Sequence, residues 1–333
     1  MTLSKMTEQI WKKLKFRESG IILALLIMCL GLTLATPSFL TAFNLGMVIR
    51  QVSFTAILAL GQTLVLISGG IDLSVGAIAG LSAIVGTMMM TATGIDPYLC
   101  AFLAGLFGLF CGLLNGLLIA KIGLNPFIAT LGTGEVYYGL ILVLTKGYPV
   151  LGLPKKFMWL GQGMVGVVPV PVIIMILVAL VVAYVLKNTP FGRYVYAIGG
   201  NEAAANLVGI KVPKIKISVY AISGFLAALS GMLYASRMAG GQPTTGQTWV
   251  MPSVTAAIIG GTSLSGGEGT ILGTMVGAIL MGVLTNGIVL LNISSYWERV
   301  IIGIVVILAV IIDILRNNKE NSPLAFIKKI FAK

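Results

Sequence analysis

The sequence contains no histidine, and only 10% of its 333 residues are charged. Without histidine it lacks the side chain that most often serves as a base near neutral pH and as a metal ligand. The scarcity of charge says more. A water-soluble domain carries about 25% charged residues and roughly 45–50% apolar ones. Here hydrophobic residues reach 57% and the mean hydropathy is +1.02. Polar residues are too few to cover a water-facing surface, so lipid must be the solvent for much of the chain. Cysteine is also sparse. Cys29, Cys100 and Cys111 are odd in number and lie in or beside apolar runs, with no disulfide framework and no metal-ligand spacing. An all-α, polytopic membrane helix bundle is therefore expected.

A spanning helix needs about 20 apolar residues. Such segments fall near 20–36, 45–68, 73–91, 98–120, 125–145, 168–186, 215–237, 250–262, 270–291 and 296–315. This gives about ten transmembrane spans, the short eighth being a broken or re-entrant segment, tolerated where protein or a water-filled cavity surrounds it. The chain then divides into a basic N-terminal segment (1–19), a transmembrane domain (20–315) and a basic C-terminal tail (316–333). The apolar run from Gly20 to Ala35 lacks a small-residue cleavage site and is expected to be retained as the first span. The net charge of +12 sits in clusters at both termini and in the loop 187–214. Basic clusters between apolar spans read as cytoplasmic anchors, not as a nucleic-acid surface. With both termini inside and an even span count, 16 of the 22 Lys and Arg residues fall on the cytoplasmic side. The loop 146–167, with three lysines, is then placed outside. The 42 glycines include Gly108, Gly112 and Gly116 at four-residue spacing, and Gly273 and Gly277 likewise, which predicts close helix–helix faces.

Two motifs are decoys. Leu264–Glu268 reads like the signature of an ABC ATPase, but there is no Gly-Lys dipeptide and hence no phosphate-cradling loop. Gly161–Gly166 fits G-x-G-x-x-G, but Pro169 and Pro171 argue against the helix such a motif must open, and it reads as a loop. Residues Gly69–Gly76 and Gly260–Gly267 match at five of eight positions. That is either an internal structural repeat, of the kind transporters carry, or a chance match of glycine-rich turns. Two acids adjoin apolar spans, where a charge costs about 2.5–3.5 kcal/mol on insertion scales. Asp72 caps the third helix through the amide of Ser74 or Val75, or else lines a pathway. Glu135 is either a pathway residue or buried and hydrogen-bonded. In the loop 187–214, Asn201 suits an N-cap, Glu202 a first turn and Gly209 an end, which predicts a short helix over Asn201–Val208 on the basic side.

Taken together, Ser68–Gly76, Asn125–Thr133, Thr189–Arg193 with Gly199–Ile210, Gln242-Pro243-Thr244 and Gly260–Gly269 make the chain resemble the permease subunits of ribose-type ABC sugar importers, over roughly residues 20–315. One departure from that family is that Met251–Ala257 lacks the acidic pair its members often carry there, which opens the solute to sugars other than ribose. The resemblance implies a multi-pass protein of the bacterial cytoplasmic membrane that performs no covalent chemistry and needs no cofactor. It implies a second permease copy, identical or a close paralogue, a cytoplasmic ABC ATPase that hydrolyses ATP, and an extracytoplasmic sugar-binding protein, all set in membrane lipid. The ATPase-coupling element would comprise Gly200, Asn201, Glu202, Ala203, Ala204, Ala205 and Gly209. The candidate translocation path would include Asp72, Ser74, Asn125, Thr130, Glu135 and Thr262. The alternative by size and span number is a secondary transporter driven by protons or sodium through Asp72 and Glu135.

Overall fold

A computed structural model describes residues 19–294 and 296–317. Of the two basic terminal segments only Ser19 and residues 316–317 fall among them; the rest lies outside the described residues. The elements in chain order are α1 (Ser19–Ala35), α2 (Ala42–Ile67), α3 (Val75–Thr93), α4 (Pro97–Ala120), α5 (Pro126–Thr145), α6 (Lys155–Gln162), the two-residue strands β1 (Met164–Val165) and β2 (Val168–Pro169), α7 (Val170–Asn188), α8 (Pro190–Gly200), α9 (Glu202–Leu207), α10 (Val212–Met238), α11 (Val250–Ile259), α12 (Ile271–Leu290) and α13 (Tyr296–Asn317).

A helix stands at each of the ten expected segments. Seven of them (α2, α3, α4, α5, α7, α10 and α12) are long and apolar enough to cross a membrane, where ten spans were expected. The chain is a polytopic helical membrane protein. At ten residues, α11 rises only about 15 Å, half the hydrocarbon thickness of about 30 Å, as a broken segment requires. Two short helices were not foreseen. The loop 146–167 contains α6, and the loop after α7 contains α8 before the expected short helix. Both begin at a proline or just after one, which fixes φ and gives up an amide that the first turn would leave unpaired. The G-x-G-x-x-G match falls across the end of α6 and an antiparallel hairpin pairing Met164 with Pro169 and Val165 with Val168. It is not the strand–turn–helix a dinucleotide needs.

The central element is α10, packed on α2, α3, α4 and α6. Its contact with α4 depends on glycine. A methyl group added at Gly112 would strike the carbonyl of Tyr220, one at Gly108 the carbonyl of Gly224, and one at Gly116 the Cα of Ile217 at 2.7 Å. Without a Cβ the two backbones approach more closely than larger side chains allow, and dispersion contacts accumulate along the whole seam. In the same way Gly273 and Gly277 seat α12 against the carbonyls of Gly260, which caps α11, and of Ala256 within it.

Contacts also show which segments share an end of the bundle. Lys156 pairs with Asp96 at 3.1 Å, and that ammonium holds the Asp96 carboxyl below its usual range. Gln162 donates to the Arg237 carbonyl at 3.0 Å, and Val150 bridges Gly241. The lysine-bearing segment 146–163 therefore lies at the end where α3 finishes and α10 finishes.

Candidate functional sites at the two ends of the bundle

At the opposite end, two glycine turns meet one helix. After α2 the chain turns through Gly69 (φ +80°), and after α11 it turns through Gly261 (φ +91°). Each glycine sits in the left-handed region that ends a helix at little steric cost. In both turns the next amide reaches back five residues: Gly70 to Val65 and Thr262 to Ala257, each at 3.0 Å. The two turns are thus alike in backbone, but the pairing is Gly69 with Gly261 and Ser68 with Gly260. That is one residue away from the register read from the sequence. The turns then diverge, because α3 starts at Val75 and α12 only at Ile271, with Thr270 capping Gly273.

The end of α8 sits where these turns converge. A methyl group at Gly199 would collide with the Ile67 carbonyl and the Gly267 amide, which bond to each other at 2.9 Å. One at Gly266 would meet the Cα of Gly69 and of Gly199, and one at Gly267 the backbone of Gly200. The Tyr196 hydroxyl donates to the Gly269 carbonyl at 2.8 Å. So α8 is held by backbone contact to both glycine turns at once.

The next helix, α9, starts at Asn201, whose side chain accepts from the Ala204 amide at 2.9 Å, and Gly209 follows it at φ +86°. Lys216 pairs with Glu202 at 2.6 Å. Ala205 is buried with Ile198 and Val212, which fastens α9 to α8 and α10. Ala203 and Ala204 are exposed, beside Leu207 (88% exposed) and Val208 (77%). The sequence reading missed those two large apolar residues. Outside lipid they form the kind of surface that marks an interaction site.

Beneath the first turn lies a buried polar cluster. Asp72 is fully buried; its Oδ1 accepts from the Ser74 amide at 3.0 Å and the Ser74 hydroxyl at 2.6 Å, and its Oδ2 from the Ser223 hydroxyl at 3.3 Å. Asn115 donates to the Ser74 hydroxyl at 2.7 Å, and the Gln62 amide donates to the Asp72 carbonyl. Thr130 accepts from the Leu73 amide at 3.0 Å and donates to the Pro126 carbonyl at 2.8 Å. The structure thus joins Asp72, Ser74 and Thr130. It separates the other three path candidates: Asn125 is exposed and caps α5 through the Phe127 amide, Glu135 is exposed on the outer face of α5, and Thr262 is buried in the second turn. Asn115, Gln62 and Ser223 were missed. Asn115, a lone amide beside the Gly116 of an apolar helix, was the available signal.

Toward the end of the bundle that carries Asp96 and Arg237 lies a cavity of about 990 Å³ between α2, α5, α11, α12 and α13 and the segment before α11. None of the six path candidates lines it. Its polar groups are Gln51, Tyr138, Arg237, Asn286 and Glu298 among others, and its walls are largely apolar, including Trp249. Trp249 lies parallel to Phe54 with centroids 6.4 Å apart, and edge-on to Tyr234 at 5.0 Å. A cavity of this size with few polar groups has the form of a small-molecule site. No group of residues suited to holding a metal ion occurs among the described residues.

A membrane helix bundle with a cavity of this size at one end and a helix seated on two glycine turns at the other has an architecture suited to a transport protein. Residues 44–310 match the family described as branched-chain amino acid transport system, permease component, and the chain belongs to that family. It is similar to the ribose import permease protein RbsC of Bacillus subtilis, 43% identical over 300 residues (89% of this chain, 92% of the relative). It is similar to the D-allose transport system permease protein AlsC of Escherichia coli, 37% identical over 293 residues (88% and 89%). It is also similar to the L-arabinose ABC transporter permease protein AraH of Azospirillum brasilense, 34% identical over 306 residues (92% and 90%). No solved structure matches the chain. The chain is accordingly a multi-pass transport subunit and not an enzyme.

Proposed function

We propose that this chain is the membrane permease of an ABC importer that brings a monosaccharide into the bacterial cytoplasm across the inner membrane. The observation that carries the reading is the similarity along about nine-tenths of the chain to permeases whose names specify ribose, allose and arabinose. ATP hydrolysis on a partner drives the cycle, which displaces the proton- or sodium-coupled alternative. A binding protein delivers the sugar at the end bearing the 990 Å³ cavity. An ATPase docks at the end bearing α8 and α9, with Gly200–Ala205 and Gly209 as the coupling element and both termini on that cytoplasmic side. The glycine contacts of α8 with both turns supply the mechanical link: a push on α8 moves the turns at Gly69 and Gly266 together. Such a device switches the bundle between two states that each ligand biases.

A second permease copy completes the assembly. The outer face of α5 carries Glu135 between Gly132 and Gly139, and methyl groups at either glycine would meet nothing. A mid-span carboxylate is costly against lipid and favours a wet or protein-covered face, such as a path between two copies. Lipid covers the remaining apolar exterior. The test is uptake into liposomes holding the permease, its ATPase partner and its binding protein. ATP-dependent entry of labelled ribose, allose or arabinose that withstands a proton uncoupler is expected. Entry of labelled leucine with no sugar entry would replace the monosaccharide by an amino acid, and uptake abolished by the uncoupler would replace the mechanism.

A further inference from the structure

Two side chains in the cavity are incomplete within this chain. Arg237 Nη1 and the Tyr138 hydroxyl are both buried and both without a hydrogen-bond partner, and both residues line the 990 Å³ space. A buried polar atom with no partner is strongly disfavoured, and a guanidinium more so, unless water or a ligand completes it. Neither group is loosely held. The backbone at the end of α10 is fixed from behind by α6: the Gly161 amide donates to Ser236 Oγ at 2.7 Å, Ser236 donates to the Phe157 carbonyl at 2.6 Å, and Gln162 donates to the Arg237 carbonyl at 3.0 Å. The guanidinium then lies 5.9 Å from the Phe54 ring centroid. Tyr138 reaches from α5 to Gly76, where an added methyl group would come within 3.0 Å of its oxygen. Trp249 supplies an apolar wall, itself fixed by Phe54 and Tyr234.

From this arrangement we infer that Arg237 and Tyr138 are the solute-recognition groups of the permease, donating hydrogen bonds to hydroxyls of a neutral monosaccharide whose C–H face rests on Trp249. The inference rests on the monosaccharide reading above and adds to it the side chains that meet the sugar. The chemistry fits a polyol. A guanidinium presents several donors in a fixed fork that two neighbouring hydroxyl oxygens can accept, and a phenol can donate to one oxygen and accept from another. Both atoms are closed to solvent in this state, so the two side chains must turn toward the cavity when the sugar arrives, while Phe54, Tyr234 and α6 hold their surroundings in place. Separate donors on α5 and α10 also let one sugar bridge two helices, so that its passage is felt by both.

The test uses the complete transporter in liposomes at saturating loaded binding protein, with ribose and its single-deoxy analogues. Losing a neutral hydrogen bond should slow Tyr138→Phe roughly threefold to tenfold, and losing a charged one should slow Arg237→Gln roughly tenfold to hundredfold. Arg237→Lys should recover part of the rate. One deoxy analogue, lacking the hydroxyl that meets Tyr138, should be carried equally well by the wild type and by Tyr138→Phe, a pattern that a purely structural tyrosine cannot give. If Arg237→Gln fails to reach the membrane, Tyr138→Phe, which removes one oxygen, decides. Wild-type rates for both variants with every sugar would overturn the inference while the transport reading stands. A wild-type complex that imports no sugar overturns both.

Discussion

The contact between α8 and the two glycine turns can be tested at neighbouring positions of one helix. Gly199 and Gly200 both lie at the C-terminal end of α8, and neither needs a positive φ. By helix propensity alone, alanine should favour α8 by up to about 1 kcal/mol at either position. Tertiary contact separates them. At Gly200 a methyl group meets nothing within 4 Å, whereas at Gly199 it lands on the Ile67 carbonyl and the Gly267 amide, which bond to each other at 2.9 Å. Overpacking costs about 1–3 kcal/mol, and breaking that bond leaves the buried Ile67 carbonyl unpaired at about 1–3 kcal/mol. The methyl obstructs backbone on both sides, so no rotamer change relieves it, and α8 must move off the turns. Subtracting the propensity gain leaves a net loss of about 1–6 kcal/mol. Every 1.4 kcal/mol is a factor of ten in an equilibrium, so sugar moved per ATP hydrolysed should fall about tenfold or more in Gly199→Ala. The ATPase should remain bound, because α9 is untouched. Gly200→Ala should leave coupling within about twofold. The readout is the ratio of uptake to phosphate release in liposomes, with detergent-solubilised melting as a check on folding. Equal ratios in the two variants would refute the idea that α8 works through these turns.

Three further outcomes are expected. Ala204→Arg and Leu207→Asp place charge on the exposed face of α9 and should abolish ATPase co-purification without lowering membrane levels, while Ala204→Ser stays mild; retained co-purification with normal uptake would reject α9 as the docking face. Asp72→Ala removes the acceptor of the Ser74 amide, the Ser74 hydroxyl and the Ser223 hydroxyl, and should lower the melting temperature and uptake more than Asp72→Asn, which keeps one carbonyl oxygen, by about 1–3 kcal/mol; equal loss in both would show that the charge itself is needed. Gly112→Val pushes a side chain into the Tyr220 carbonyl and should prevent assembly, seen as loss of monodisperse protein in detergent, while Gly132→Val on the open face of α5 should leave the monomer's folding intact.

Much of the molecule was legible in its residue order. Hydropathy alone placed ten segments that are all helical, because a span needs only enough apolar residues in a row to keep its backbone bonded within itself. The four-residue glycine spacing marked the α4–α10 and α11–α12 faces, because close approach depends on the local absence of Cβ. The Asn201 cap and the Gly209 stop were readable for the same reason: their hydrogen bonds and φ angles lie within a few residues. The sequence register of the repeat was off by one residue, since the position that requires φ > 0 is fixed by backbone hydrogen bonds that residue identities alone do not reveal. The rest belongs to tertiary structure. Asp72 is completed by Ser223, 151 positions away, and Asn115 reaches Ser74 across 41. The cavity exists only because α2, α5, α11, α12 and α13 converge, and Arg237 and Tyr138 face the same space only once α10 and α5 are packed. Composition and periodicity fix which faces a helix must bury. Which face it meets, and which polar atoms are left without a partner when it does, are decided by three-dimensional packing.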